Sequence, residues 1–231
     1  MRVGIFSDIH GNIYAFDKVW KALLKESCDM YCCGGDLCGY YYSQDEVIDA
    51  VQNIDNLICI KGNHDKIFLN CLENEEVLGK YSNRYGGSLA YLKSTITRDH
   101  LEFLKDLPLS FEDKELGLTM FHGSPWDALN DYVYPTDSVD KFKDLDFKYI
   151  FLGHTHYPMH KQVRNVQIIN PGSVGQPRDC SQASFAVLDL DKNILKFKRV
   201  DYDIDSLRND LKRHNEQNEY LFSVLNRKES E

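Results

Sequence analysis

Long apolar runs are missing from this chain. None nears the roughly 18–20 residues that a membrane-spanning helix needs, so no membrane role is expected. The N-terminus runs from Met1 to Asp8 straight into what reads as a core strand, without the apolar stretch and small-residue cleavage site of a secretory signal. The seven cysteines are odd in number and scattered, and no CxxC pair occurs, which argues against a disulfide framework or a thiolate zinc site. Reduced, partly buried thiols in a cytoplasmic protein are the expectation. A surplus of positive charge is also lacking. With 27 Lys and Arg against 36 Asp and Glu, the net charge is −9, and stable nucleic-acid binding, which needs a basic surface, is not expected. A nucleotide substrate stays open, because a metal can supply positive charge locally. Internal repeats, low-complexity segments and linkers are absent as well.

What is present is an ordinary globular composition. The 231 residues, 42% apolar and 27% charged, suffice for one sizeable domain with its own core. Apolar runs at 2–7, 29–33 and 57–60 read as strands. Between them, helical spacing over 12–26 (Ile13, Phe16, Trp20, Leu23, Leu24) and 44–54 (Val47, Ile48, Val51) gives a βαβαβ rhythm, hence parallel strands with helices packed on them. The stretch 66–115 is the least readable. Only a helix capped at Thr97 and ending before Pro108 stands out there. Strands resume at 118–121 and 149–152. Those at 166–169, 184–190 and 195–200 follow so closely that a more antiparallel second sheet is expected, giving two sheets with helices outside them. From Ile204 a helical tail carries Leu207, Leu211, Leu221 and Leu225 as its stripe, either covering the core or making a dimer contact.

The chemistry collects where strands end. Asp8-Ile9-His10, Gly34-Gly35-Asp36, Gly62-Asn63-His64-Asp65, Phe121-His122-Gly123 and Gly153-His154-Thr155-His156 each follow an apolar run at once. Ligands bind just outside the carboxyl ends of strands in open α/β sheets, so five such ends emptying into one crevice would gather these side chains. The plain alternative is a set of separate hydrogen-bonded histidines and helix-capping aspartates. Any one of the motifs arises easily by chance; all five in this order do not. Imidazoles with carboxylates suit Mn, Fe, Zn, Co or Ni better than Mg or Ca.

This set resembles the calcineurin-like metallophosphoesterase superfamily from Met1 to about Leu190, and is similar in particular to its small bacterial and archaeal phosphodiesterase-like branch. Gly39-Tyr40 and the loop from Asn170 to Arg178 (NPGSVGQPR) carry that closer likeness. The resemblance implies a four-layer αββα sandwich, two mixed sheets flanked by helices. It implies a domain over 1–202 with the tail 203–231 packed on it, and two divalent metal ions, Mn foremost. By the same resemblance Asp8, His10 and His156 would hold one metal, Asn63, His122 and His154 the other, and Asp36 would bridge them. His64 would face the leaving group as proton donor to a hydroxide-driven displacement, with Asp65 or Asp36 orienting it.

The protein-phosphatase motif Gly-Asp-x-x-Asp-Arg-Gly reads Gly35-Asp36-Leu37-Cys38-Gly39-Tyr40-Tyr41 here, without its arginine. Loss of a bidentate guanidinium should hurt a dianionic monoester more than a monoanionic diester, which favours a phosphodiesterase acting on a small phosphorylated molecule, a nucleotide among the candidates, in the cytoplasm. Phosphomonoesterase, dinucleoside polyphosphate hydrolase and non-catalytic protein-binding scaffold are the alternatives, and a homo-oligomer stays open. Arg178 and Tyr40 are the candidates for touching the rest of the substrate. Tyr40-Tyr41-Tyr42 reads either as an aromatic wall or as loop packing, and Trp126 as pocket mouth or packing.

Overall fold

The computed structural model describes residues 1–227, and the last four residues of the expected tail, 228–231, lie outside the described residues. In chain order it contains β1 (Arg2–Phe6), α1 (Ile13–Leu24), β2 (Met30–Cys33), α2 (Gln44–Gln52), β3 (Leu57–Cys59), α3 (Asn63–Glu73), α4 (Glu75–Tyr85), α5 (Ser88–Thr95), α6 (Arg98–Asp106), β4 (Ser110–Asp113) and β5 (Leu118–Phe121). After these come β6 (Tyr149–Phe151), β7 (Pro158–Val163), β8 (Val166–Pro171), β9 (Ala183–Asp189), β10 (Ile194–Val200), α7 (Ile204–Arg213) and α8 (Glu219–Ser223).

The strands form two mixed five-stranded sheets, ordered β10-β9-β1-β2-β3 and β4-β5-β6-β8-β7. Strand alternation sorts their side chains. In β1, Val3 and Ile5 point between the sheets while Phe6 points to the helices; in β2, Met30 and Cys32 point inward and Tyr31 and Cys33 outward. Opposite them, Leu118, Met120, Tyr149, Phe151 and Ile169 complete the inter-sheet core. Strands buried on both faces carry unbroken apolar runs, which is why these segments stood out in the sequence. The helices α1, α2, α3, α5 and α6 cover the outer face of the first sheet, contributing Phe16, Val47, Phe68, Leu89 and Leu104 to one core. Ile150, Leu152 and Ile168 on the outer face of the second sheet are covered by Val133 and by Phe142 of a single 3-10 turn.

The second half departs from the antiparallel sheet expected of it. β9 and β10 join the first sheet, β9 running antiparallel to β1, whereas β5, β6 and β8 run parallel in the second. Ala183 to Leu188 of β9 are buried on both faces, and beside β1 the strand lies between the helices on one side and the second sheet on the other. The stretch 66–115 holds most of α3, all of α4 to α6 and edge strand β4; its helices are 8–11 residues long and pack largely on one another, so none shows a long stripe. The helix capped by Thr97, whose side chain accepts from His100 N, is present as α6.

The tail packs on the same body. Leu207, Leu211, Leu221 and Leu225 lie against Tyr40, Tyr41 and Tyr42 in one buried cluster. No described helix is long and apolar enough to cross a membrane. Glu216, between the two tail helices, accepts from the Tyr42 hydroxyl at 2.8 Å, from Gly87 N at 2.9 Å and from Gln217 N and Asn218 N at 2.8 Å. Burial opposes its ionisation, but these donors outweigh it and hold the carboxyl below its ordinary value. A depressed folded-state pKa stabilises fully above the unfolded value, about 4.3, and less as pH falls below it. Glu216→Ala should therefore cost about 1–2 kcal/mol at neutral pH, with partial exposure keeping the figure modest. Chemical denaturation should show the gap from wild type shrinking in acid; a gap constant with pH would contradict the assignment.

Candidate metal centre

The loops leaving β1, β2, β3, β5 and β6 at their carboxyl ends bring Asp8, His10, Asp36, Asn63, His122, His154 and His156 into one buried crevice. Their backbone is unusual. Asp8, His10, Asp36, Tyr40, His154 and His156 have φ between 54° and 66°, in the left-handed region. Asp and His tolerate that region better than most residues, yet each instance costs on the order of 1–3 kcal/mol and persists only where surroundings enforce it. Interlacing loop hydrogen bonds do so here: Asp8 N to Gly35 O at 3.0 Å, His10 N to Asp36 O at 2.9 Å and Gly175 N to Asp8 O at 2.9 Å. Gly62 is required by close approach, since a Cβ there would sit 2.1 Å from Asp36 Oδ1.

Two groups of donor atoms result. In one, His156 Nε2 lies 3.3 Å from Asp8 Oδ1 and 3.1 Å from His10 Nε2. In the other, His122 Nε2 lies 3.3 Å from Asp36 Oδ2, 3.2 Å from His154 Nδ1 and 2.9 Å from Asn63 Oδ1. Asp36 stands between them, because its Oδ2 is also 3.6 Å from His10 Nε2.

The chemistry of these donors fits divalent cations. The far nitrogens are committed: His10 Nδ1 pairs with Cys38 O at 2.8 Å, His122 Nδ1 with Gly34 O at 2.8 Å and His156 Nδ1 with Gln176 O at 2.7 Å. A carbonyl only accepts, so these nitrogens carry the hydrogens. That leaves the Nε2 lone pairs of His10 and His156 facing each other, and His122 Nε2, whose proton a cation would replace, facing Asp36 Oδ2, a second imidazole nitrogen and an amide oxygen. Asp36 Oδ2 is buried with no hydrogen-bond donor. Lone pairs aimed at lone pairs around an unpartnered carboxylate oxygen make a cradle for a cation, and imidazoles oriented by backbone carbonyls are the usual support for one.

The protein's own charges say the same. Burial disfavours ionisation of Asp8 and Asp36, yet the surrounding imidazoles outweigh it and hold both carboxyls below their ordinary value. Burial also disfavours a charged His122, but Asp36 foremost lifts it to about 10. Burial pushes His154 and His64 down to about 4 and His10 well below its usual value. Two anionic carboxylates among mostly neutral imidazoles form a site that calls for positive charge.

The crevice opens into a cleft of about 390 Å³. His64 and Tyr40 line it with Asp36, Asn63, His154 and His156; Arg178 reaches it from the 170–178 loop, and Arg84, Tyr85, Tyr132, Tyr134 and Tyr220 complete it. The Arg178 Nε is buried without a hydrogen-bond partner among the described residues, and Tyr40, Tyr134 and Tyr220 line the same cleft. Of the tyrosine run, only Tyr40 lines the cleft; Tyr41 is fully buried, and Tyr42 stacks on His214 at 4.0 Å. Trp126 packs on Phe142 under Lys141, away from the cleft lining. A larger hollow, about 920 Å³, lies at the opposite ends of β5, β6 and β8, around Gly117, Lys148 and Val166, and among the described residues no metal-capable cluster lies in it.

His64 lies in the first turn of α3, and its backbone N–H donates to Asp36 Oδ1 at 2.7 Å. Its ring nitrogen Nδ1 pairs with the Tyr81 hydroxyl at 3.1 Å. Asp65 does not reach that ring. Its carboxylate accepts from Asp36 N and Gly62 N at 2.9 Å and from Cys38 N at 3.0 Å, tying the loops after β2 and β3 together. Burial and the nearby Asp36 raise its carboxyl to about 6. Sequence reasoning missed Tyr81 and the cleft tyrosines 85, 132, 134 and 220, which come from segments far apart in the chain and carry no motif.

Comparison with known proteins agrees with this geometry. The family model of the calcineurin-like phosphoesterase superfamily domain matches residues 1–193. An uncharacterized protein of Methanocaldococcus jannaschii is 31% identical over 228 residues, covering 87% of this chain and 88% of its own. The crystal structure of a metallophosphoesterase from Sphaerobacter thermophilus superposes with a TM-score of 0.83 at 26% identity, covering 97% of this chain and 98% of its own. That of a Pyrococcus horikoshii protein shares the fold with a TM-score of 0.87 at 22% identity and 98% coverage of both chains. On its sequence, its two sheets and the donor set at their strand ends, the chain belongs to the calcineurin-like phosphoesterase superfamily.

Proposed function

We propose that the protein is a dinuclear metal-dependent phosphodiesterase acting on a small phosphate diester with an aromatic substituent, of which nucleotides are the nearest class. The observation that carries this reading is the pair of facing-nitrogen clusters on either side of Asp36. Asp8, His10 and His156 would hold one cation, Asn63, His122 and His154 the second, and Asp36 would serve both. Imidazoles together with carboxylates and an amide oxygen suit Mn, Fe, Zn, Co or Ni, and Mn is the ion that the family resemblance puts first. Such ions, when bound, lower the pKa of water toward neutrality and neutralise charge on a phosphoryl group.

The chain's own groups do the rest. Two carboxylates against two divalent cations leave a positive surplus, which draws an anion into a protein of net charge −9. Arg178, whose Nε has no hydrogen-bond partner among the described residues, offers its guanidinium to the substrate's phosphate. His64 lines the cleft beside the crevice, where it donates a proton to the departing oxygen. Tyr40, Tyr85, Tyr132 and Tyr134 supply aromatic faces and edges for a planar substituent. A diester is favoured because Tyr40 stands where a bidentate arginine would grip a dianionic monoester.

Metal-stripped protein resupplied separately with Mn, Co, Ni, Zn or Mg tests the reading on bis-p-nitrophenyl phosphate beside p-nitrophenyl phosphate. Turnover should return with Mn, and the diester should react faster. A faster monoester would overturn the diester preference. Full activity in the stripped protein would overturn the metal requirement.

A further inference from the structure

From the hydrogen bonds around His64 we infer that Tyr81 is the positioning residue that turns its Nε2–H toward the leaving oxygen. The inference rests on the proposed role of His64 as proton donor. Tyr81, 3% exposed, sits on α4 with its hydroxyl oxygen 3.1 Å from His64 Nδ1. The same oxygen accepts the backbone N–H of Tyr40 at 3.2 Å. An amide N–H can only donate, so the hydroxyl is the acceptor there and keeps its own hydrogen to give. No other acceptor lies within its hydrogen bonds, and a buried hydroxyl needs one. The neutral ring of His64 therefore accepts at Nδ1 and carries its hydrogen on Nε2, the nitrogen with no hydrogen-bond partner among the described residues.

The fold makes room for this arrangement at Gly39. Its φ is +96°, and a Cβ there would lie 2.5 Å from His64 Nδ1 and 2.8 Å from the Tyr81 oxygen. Any side chain at position 39 would displace one of the two partners. Further contacts steady the ring from other sides: Tyr40 lies 4.9 Å from it, centroid to centroid, and Tyr85 5.6 Å. Neither carboxylate next to the site competes for Nδ1, since Asp65 is spent on three backbone N–H groups and Asp36 Oδ1 on the His64 backbone.

A hydroxyl also has a property that a carboxylate lacks: it can donate or accept. When the ring is protonated at both nitrogens, Nδ1 donates to the same Tyr81 oxygen, and the Tyr81 hydrogen gives up its acceptor for that step. Nε2 then gives its proton to the leaving oxygen as the P–O bond breaks and its electron pair passes to that oxygen. The ring returns neutral, and solvent in the cleft restores the proton. Tyr81 stays paired with Nδ1 throughout, so the ring does not have to reorient.

Two measurements on metal-loaded protein test this. The first compares Tyr81→Phe with wild type on paired diesters that differ only in leaving group, p-nitrophenolate or phenolate. The phenyl ester should slow by about tenfold or more and the p-nitrophenyl ester by less than about threefold, because only the poor leaving group needs the proton. In a His64→Ala background the same change should add nothing. Equal slowing of both esters, or a further loss in that background, would overturn the positioning role. If His64→Ala itself shows no leaving-group dependence, the proton-donor reading fails first, and the two failures are thereby told apart. The second measurement needs no variant of Tyr81. Imidazole 15N spectra of zinc-loaded wild type, with His64 assigned by its disappearance in His64→Ala, should show an N–H at Nε2 and an acceptor at Nδ1. The opposite tautomer would overturn the inference even if Tyr81→Phe did not fold.

Discussion

Replacing Asp36 by Asn should empty the centre and reduce turnover by about 10³-fold or more. That exceeds the roughly 10–100-fold that follows loss of a supporting hydrogen bond around a metal. The two oxygens of Asp36 have different tasks. Oδ1 accepts the His64 backbone N–H at 2.7 Å, whereas Oδ2 lies within 3.6 Å of His10 and 3.3 Å of His122 with no donor on it. In Asp36→Asn the amide oxygen is held at the first position by that same N–H. The NH₂ then points between the two donor clusters, presenting hydrogens where a cation needs a lone pair. Volume is unchanged, so the fold should survive and circular dichroism should match wild type. Metal analysis after dialysis checks the outcome. Two ions per chain retained in Asp36→Asn would remove Asp36 from the bridging position.

His64→Ala should do the opposite: keep the metals and lose the chemistry. The contact that His64 makes to Asp36 runs through its backbone N–H, which alanine retains, and position 64 is in the first turn of α3, where alanine is a good helix former. What disappears is the imidazole facing the cleft. Turnover of a diester with a poor leaving group should fall by about 10²-fold or more, and that of an activated ester much less. Steady-state rates on both esters, beside a metal count, decide it. Undiminished turnover of the poor leaving group in His64→Ala would end its assignment as proton donor.

The donor set was legible because its residue types announce themselves. Asp, Asn and His rarely follow apolar strand runs five times over, and the structure brings those strand ends to one crevice. The parallel core β1-β2-β3 was legible for a similar reason, its helices carrying clear apolar stripes. Other features had no sequence signal. The carbonyls of Gly34, Cys38 and Gln176 that orient the histidines are backbone atoms, and any residue could supply them. The membership of β9 and β10 in the first sheet depends on which face of which sheet is left uncovered, a global property. The cleft tyrosines come from α4, the 121–148 segment and the tail, and nothing local distinguishes them from packing residues. Asp65 shows the limit from the other side. Its place beside His64 suggested contact with the ring, but side chains of successive residues on a helix do not share a face. Its carboxylate caps the loops while the ring turns to Tyr81.

The most direct test of the account is anomalous diffraction from crystals of the manganese-loaded protein, collected at the metal's absorption edge. Two peaks are predicted, one among Asp8, His10 and His156 and the other among Asn63, His122 and His154, with Asp36 between them. A single peak, or peaks away from these residues, would contradict it.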